Sequence, residues 1–341
     1  MKMSIYVAKR LAYVIFTLIG LSVLVFVLAR VLPGDPARMA AGPATPEKVV
    51  EQLRKQLRLD KPLYEQYFYW LRDVTQGDLG YSIYTRRSVT NDVLQYLPTS
   101  LELILLAAIF EIIGAFILGP LAGMFSYKWP DNLVRVLCYI GISIPTFVWA
   151  IIFQLLFTWM LPIFPTGGML SEGLTAPTRI TGIVTLDSLI TGRFDVFVDV
   201  LWHMVLPALA LAIPGFTQDA RIIRASMVEN KDKDYITLAT SQGLPSRLVM
   251  TKYLLKPSVI PAVTVIGMSI ASMLGNAFLV ETVFNWPGFS KYGISVMLNK
   301  DLNAIVAVVL VIGILYAIIN IIVDTIVAYL DPRIRFMERG E

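Results

Sequence analysis

The stretch AIVAVVLVIGILYAIINIIVDTIVAY, residues 304–329, decides the fold class, because Asp324 is its single charged residue. A helix rises 1.5 Å per residue, so about 20 apolar residues cross the roughly 30 Å hydrocarbon core of a bilayer. A stretch of this length is typical of a transmembrane helix. The composition agrees, since 56% of the 341 residues are hydrophobic and 16% are charged, against about 25% charged in soluble domains.

Other stretches of the same kind lead us to predict six spans in an all-α polytopic membrane protein. They cover residues 11–32, 98–124, 133–160, 201–217, 258–280 and 304–329. The first is longer than the apolar core of a secretory signal and lacks a small-residue cleavage site, so we interpret it as an anchor. The predicted division is an N-terminal transmembrane helix at 1–32, an extracytoplasmic cap at 33–97, a core at 98–330 and a tail at 331–341.

The distribution of Lys and Arg predicts the orientation, because short loops rich in these residues stay in the cytoplasm. The segment between the fourth and fifth spans is basic, whereas the next loop holds only Lys291 and Lys300. An even number of spans then places both termini in the cytoplasm. We predict a multi-pass protein of the cell inner membrane, in contact with the lipid bilayer and without a nucleic-acid partner.

The cap is predicted to contain two helices, at about 45–59 and 63–74. The second is rich in aromatic residues, which fit either an interfacial belt or a core of the cap. A further external loop, at about 162–199, fits either a solvated connector or a surface that contacts a partner.

The cytoplasmic segment at about 221–257 is too long and too polar for a simple turn. We predict that Asp234 caps a short helix there. Its positions Ile236, Ala239 and Gly243 follow helical spacing, and we expect them to form an outward face that a partner protein can approach closely.

Residues 234–244, DYITLATSQGL, resemble the coupling loop of ABC importer permeases, known as the EAA motif. Gly243 matches the glycine of that motif. Thr237 and Leu238 stand where its first two residues are expected, and Leu238 and Thr240 are atypical. Gly-Asn-Ala at 275–277 also departs from the Gly-rich run expected there.

More narrowly, the chain resembles the first permease subunit of the dipeptide and oligopeptide (peptide/nickel) transport family. The motifs that carry this resemblance are LPGDP at 32–36, GDLGYS at 77–82, LPTSLEL at 97–103, SIPTF at 143–147, ETVFNWPGF at 281–289 and LDPRIR at 330–335.

The resemblance implies the type I ABC importer permease fold and a set of partners. These are a second homologous permease, two cytoplasmic ABC ATPase subunits and an extracytoplasmic solute-binding protein that delivers di- or oligopeptides. Oligosaccharides or another small solute are the alternative cargo. The implied coupling residues are Asp234, Tyr235, Ile236, Ala239, Gly243 and Leu244.

This chain has no G-x-x-x-x-G-K-[ST] phosphate loop, so we predict no enzymatic activity and no cofactor of its own. ATP and Mg would be bound by the partner ATPases. One histidine and one cysteine exclude a site built from several such ligands, and we predict no metal site.

Candidates for the translocation path lie in the fifth span. Gly267, Ala271 and Gly275 are four residues apart, which permits close helix approach and fits either packing within the subunit or a path-lining role. Glu281, at the outer end of that span, is a candidate gate or docking contact or an ordinary interfacial residue. Glu111 lies deep in the second span and is expected to meet a structural partner or a cationic part of the cargo.

A secondary transporter driven by an ion gradient is the alternative from another functional class. Such proteins often show paired internal repeats and midplane carboxylates, and neither pattern is evident here. That alternative also leaves the long cytoplasmic segment without a role. We therefore predict alternating access driven by partner ATPases.

Overall fold

The computed structural model describes residues 3–31, 37–38, 45–56 and 58–330. Within these ranges the chain is helical apart from turns, a long irregular loop at 161–183 and one isolated bridge between Tyr81 and Ser88. The motif at 32–36 and the predicted tail at 331–341 lie outside the described residues. The helices are α1 Met3–Val31, α2 Glu47–Gln56, α3 Leu63–Thr75, α4 Val89–Met124, α5 Trp129–Ser143, α6 Thr146–Gln154, α7 Val184–Ile190, α8 Phe194–Lys231, α9 Asp234–Ser241, α10 Ser246–Leu248, α11 Lys256–Val283, α12 Phe289–Leu298 and α13 Leu302–Leu330.

Five of the described helical stretches are long and apolar enough to cross a membrane. They contain α1, α4, α8, α11 and α13, and α11 is joined to α10 by the π-helical turns Val249–Leu255. A sixth crossing is obtained if α5 and α6, with the π-helical extension Leu155–Met160, count as one span. The polytopic helical fold predicted from the sequence is therefore confirmed.

The third predicted span is not the single straight helix expected over 133–160. Helices α5 and α6 meet at an angle of 103°. The break falls at Ile144, whose φ of −96° and ψ of 124° are extended, directly before Pro145. A proline disfavours the helical conformation of the residue before it, which explains the bend.

Helix α8 is much longer than the predicted fourth span, because it continues from Phe194 to Lys231. Helix α10 and the π-helical turns likewise extend the fifth span back to Ser246. Only residues 232–245 therefore lie outside the long helices in the segment predicted at 221–257. We call the end of the bundle that carries these residues the α9 end, and the opposite end the α12 end.

The core lies where α8 packs against α4, α6 and α11. Leu103, Met204 and Leu274 from three of these helices are buried in one apolar cluster. Gly119 brings α4 close to α8, since a Cβ there would stand 2.7 Å from Ile223. Small residues are used for such close approach between membrane helices.

Helices α1 and α3 pack at the side of this core. Arg10 of α1 forms an ion pair of 3.2 Å with Asp324 of α13. Tyr67 of α3 packs edge-on against Phe26 of α1, whereas Phe68 is exposed. The aromatic residues of α3 are thus divided between a packed and an exposed set.

Candidate functional site

Helix α9 is the short helix predicted in the polar segment, but its apolar face is turned inward. Ile236 and Ala239 are buried, and Ile236 shares an apolar cluster with Met227 of α8 and Leu254. The prediction that Ile236 and Ala239 face a partner is therefore wrong. The spacing identified one face of the helix, and packing against α8 and the π-helical turns decides that this face points into the chain.

The start of α9 also differs from the prediction. Lys233 occupies the cap position with extended backbone angles, and Asp234 is the first residue of the helix. No side chain caps the helix. Asp234 instead adds a negative charge to the first turn, where it interacts favourably with the helix dipole.

The outward face of α9 carries two large side chains. Tyr235 is 40% exposed and Leu238 is 59% exposed. The two side chains adjoin on this face, and tyrosine is enriched among the residues that anchor protein partners. Sequence reasoning selected Tyr235 and treated Leu238 only as an atypical residue, although the two lie three positions apart and share a face.

Gly243 ends helix α9. It adopts a φ of +72°, and its N–H donates to the carbonyl of Thr240 at 3.0 Å. The N–H of Leu244 donates to the carbonyl of Ala239 at 3.3 Å. This pair of bonds is a Schellman motif, in which glycine is favoured because it enters the left-handed region without strain.

The three candidates on α11 occupy different surroundings. A side chain at Gly267 would overlap Val323 of α13, so this glycine serves packing within the chain. Ala271 is buried. Gly275 is exposed, and a Cβ there would meet no atom within 4 Å.

Gly275 belongs to an exposed strip on α11 that also contains polar side chains. Met268, Ser272, Asn276 and Leu279 are exposed at helical spacing along it. Helix α11 otherwise packs against α8, α13 and α12. A side-chain amide on a membrane-length helix is expected to face protein or water rather than lipid. This strip, which we call the α11 strip, is a candidate lining for a path or a subunit interface.

Glu281 is fully buried rather than displayed at a gate. Its carboxylate accepts hydrogen bonds from the Ser100 hydroxyl and from the N–H of Lys291, the latter at 2.7 Å. Lys291 lies in the first turn of α12, so Glu281 caps that helix. Glu102 does the same for α7, because it accepts from the N–H groups of Val184 at 3.2 Å and Thr185 at 2.7 Å.

A polar network that sequence reasoning missed holds the α12 end together. Asp301 accepts from the Ser82 hydroxyl at 2.6 Å and from the N–H of Tyr84 at 3.1 Å. Asp92 accepts from the Tyr292 hydroxyl at 3.0 Å. Burial and the facing Asp92 carboxylate raise the pKa of Tyr292 above its ordinary value. This network ties the segment after α3 to the turn between α12 and α13, and ties α4 to α12.

Two family comparisons cover most of the chain. Residues 115–336 match the family described as "Binding-protein-dependent transport system inner membrane component". Residues 3–104 match the N-terminal part of the membrane component of such systems. The chain belongs to this transport family. It is therefore a multi-pass inner-membrane permease subunit of an ABC importer, and the alternative of a secondary transporter is dropped.

Individual relatives in the same family cover nearly the whole chain. The probable D,D-dipeptide transport system permease DdpB of Escherichia coli K12 is 38% identical over 92% of this chain and 93% of its own length. The dipeptide permease DppB of Alkalihalophilus pseudofirmus is 31% identical over 98% and 100%. The glutathione permease GsiC of E. coli K12 is 32% identical over 97% and 99%.

Within the described ranges, no group of His, Cys, Asp and Glu side chains has an arrangement that could hold a metal ion. The family is that of a membrane transport component rather than of an ATPase.

Proposed function

We propose that this chain pairs with a second homologous permease to form the translocation path of a peptide importer. An extracytoplasmic binding protein delivers the cargo, and two cytoplasmic ATPases bind ATP and Mg and drive the cycle. The names of the relatives support a peptide cargo, since they refer to dipeptides, D,D-dipeptides and glutathione. The basic residues near α9 support a cytoplasmic α9 end and cytoplasmic termini.

The α11 strip is the observation that supports a translocation path along this chain. Ser272, Gly275 and Asn276 form a polar, exposed surface on a helix long enough to cross the membrane. Within the described part of the chain, the side-chain amide of Asn276 has no hydrogen-bond partner. An unpartnered amide facing lipid is costly, so a second permease or a water-filled path explains this surface better than lipid does.

A cysteine-labelling experiment tests this assignment. Asn276→Cys is introduced with Cys138→Ala, because Cys138 is the single native cysteine. Ile113→Cys is the matched control, since Ile113 is exposed on α4. In the assembled importer we expect Asn276→Cys to react with a water-soluble thiol reagent or to cross-link to the second permease, and cargo-loaded binding protein to change its reactivity.

The control decides how the result is interpreted. Ile113→Cys should remain unreactive, because Ile109, Ile113 and Phe116 form an exposed, wholly apolar face of α4 that is suited to lipid contact. Equal reactivity at both positions, or no reaction and no cross-link at Asn276→Cys in any state, would overturn the path assignment.

The proposed ATPase contact rests on the outward face of α9. Leu238→Glu places a charge in the centre of that face, so we expect ATPase subunits to be lost on co-purification through a tag on this chain. Leu298→Glu is the control, because Leu298 is 78% exposed on α12 at the opposite end. Retention of ATPases and of coupled ATP hydrolysis by Leu238→Glu would refute the contact.

Cargo class is tested by uptake with purified binding protein. A labelled dipeptide should be taken up in an ATP-dependent manner and displaced by unlabelled peptides. Displacement by oligosaccharides alone would assign the same machinery to another solute.

A further inference from the structure

Two acidic side chains meet in the interior of the helix bundle. Glu111 of α4 and Asp219 of α8 both have no solvent-exposed surface. Asp219 stands one helical turn after Gly215, which packs against Glu111, so the two carboxyl groups are neighbours. Ser269 of α11 lies beside Glu111. Gly215 makes room for this meeting, because a Cβ there would stand 2.5 Å from a Glu111 oxygen and 2.8 Å from the Ser269 hydroxyl.

The Ser269 hydroxyl lies beside Glu111, but no donor among the described residues forms a well-aligned hydrogen bond with either acidic group. All four carboxyl oxygens are buried and lack a hydrogen-bond partner. This distinguishes the pair from Glu102 and Glu281, whose carboxylates accept bonds from backbone N–H groups at helix starts. Two adjoining carboxylates are both acceptors, so no hydrogen bond can join them unless a proton is present.

No described cation compensates the pair. On α8, Arg224 bonds to Asp131 at 2.7 Å, and Arg221 lies over the Tyr139 ring at 5.1 Å. On α13, Asp324 pairs with Arg10. Ser269 lies beside Glu111, and Ala115 of α4 and Ile223 of α8, each one turn from the pair, belong to an apolar cluster. Burying two uncompensated negative charges side by side is strongly unfavourable, and paired carboxylates of this kind retain a proton.

We propose that Glu111 and Asp219 form a proton-binding site in which one proton joins the two carboxyl groups. The carboxylic acid of one residue donates its O–H to the carboxylate of the other, so the pair carries one negative charge instead of two. The proton thereby links α4 to α8 inside the membrane.

This site has a consequence for the motion of α8. Releasing the proton restores charge repulsion between α4 and α8, whereas binding it holds the helices together. Helix α8 continues to Lys231, directly before α9. Protonation of the pair therefore favours the helix arrangement described here over one in which α8 moves away from α4.

Infrared difference spectroscopy tests for the proton directly. The assembled importer in lipid nanodiscs is compared with Glu111→Gln and Asp219→Asn, both close in shape to the native residues. Each amide can donate to the remaining carboxylate, so each variant should lose the C=O band of one carboxylic acid. Glu102→Gln is the matched control on α4 and should lose only a carboxylate band. Loss of carboxylate bands alone in both test variants would overturn the proposal.

The pH dependence of stability provides an independent measurement. The melting temperature of the native complex should fall as the pH is raised through neutrality, because the folded pair keeps a proton that the unfolded carboxyl groups, with pKa values of about 4, have already lost. The fall should level off at the pH where the folded pair releases that proton. Glu111→Gln should show a smaller fall, while Glu102→Gln should follow the native curve. Equal slopes for the native protein and Glu111→Gln over this pH range would overturn the site. Neither measurement depends on cargo or uptake, so the site can fail while the proposed function stands.

Discussion

Replacing Gly267 by alanine tests how closely α11 and α13 approach each other. The added Cβ would overlap both γ-carbons and the β-carbon of Val323. Valine is stiff at its first side-chain torsion, so the clash is relieved by moving a helix rather than a side chain. Such overpacking costs about 1–3 kcal/mol, while alanine recovers up to about 1 kcal/mol of helix propensity. We expect a net loss of up to about 2 kcal/mol.

Gly275→Ala is the matched control, because it lies on the same helix and its Cβ would meet no atom within 4 Å. It gains the same helix propensity without the clash. The difference in unfolding free energy between the two variants should therefore equal the overlap cost, about 1–3 kcal/mol. Val323→Ala should restore much of the loss in the double variant, with a coupling energy of about 0.5–3 kcal/mol.

The assay is thermal unfolding of the purified complex in detergent, followed by tryptophan fluorescence. Gly267→Ala should melt below the native protein, and Gly275→Ala should melt at or above it. Equal melting temperatures for both variants, or a double variant without recovery, would refute the close approach of α11 to α13.

Three further outcomes are expected. Gly243→Ala forces a residue with a side chain into a φ of +72° at a cost of about 1–2 kcal/mol. Amide hydrogen exchange at the end of α9 should therefore accelerate, and unchanged protection would contradict the Schellman assignment. Arg224→Gln leaves the buried Asp131 carboxylate without its cation and should lower the free energy of unfolding by about 3 kcal/mol, measured by thermal unfolding. The control Arg193→Gln removes an exposed ion pair and should leave the melting temperature unchanged. At Asp187, burial raises the pKa, but hydrogen bonds from three successive backbone N–H groups and a threonine hydroxyl outweigh it and lower the pKa. The stabilisation by Asp187 should be present above an unfolded-state pKa of about 3.9 and fade as the pH falls below that value. Proteolysis of the loop before α7 should therefore increase at pH 3 in the native protein and be less pH-dependent in Asp187→Asn.

The long apolar stretches predicted the helical membrane fold, because span length is dictated by bilayer thickness. The bend in the third span also has a local sequence signal, because Pro145 follows directly after the break. The prediction treated 133–160 as one span on its hydrophobicity and placed no bend at that proline. The length of α8 was missed for the opposite reason, because its polar final turns have no hydrophobic signal although they are helical.

The roles of individual carboxylates could not be predicted from the sequence. Glu281 caps α12 through bonds that involve Ser100, 181 positions away in the chain, and no local pattern encodes that contact. Asp219 was not selected at all, because it lies between the predicted fourth span, which ended at 217, and the polar segment predicted from about 221. Its pairing with Glu111 follows from the register of α8 against α4, which only the packing reveals.

The length of α8 and its short connection to α9 determine how a movement at α9 reaches the bundle. Its 38 residues make a rod about 57 Å long, nearly twice the roughly 30 Å thickness of the hydrocarbon core. Only Asp232 and Lys233 separate this rod from α9, which leaves little slack at the joint. A tilt of about 10° about its midpoint would displace each tip by about 5 Å. A displacement of α9 would thus move α8 deep within the bundle, with bending concentrated at the short joint and at Pro207 and Pro214, where a helical hydrogen bond is missing.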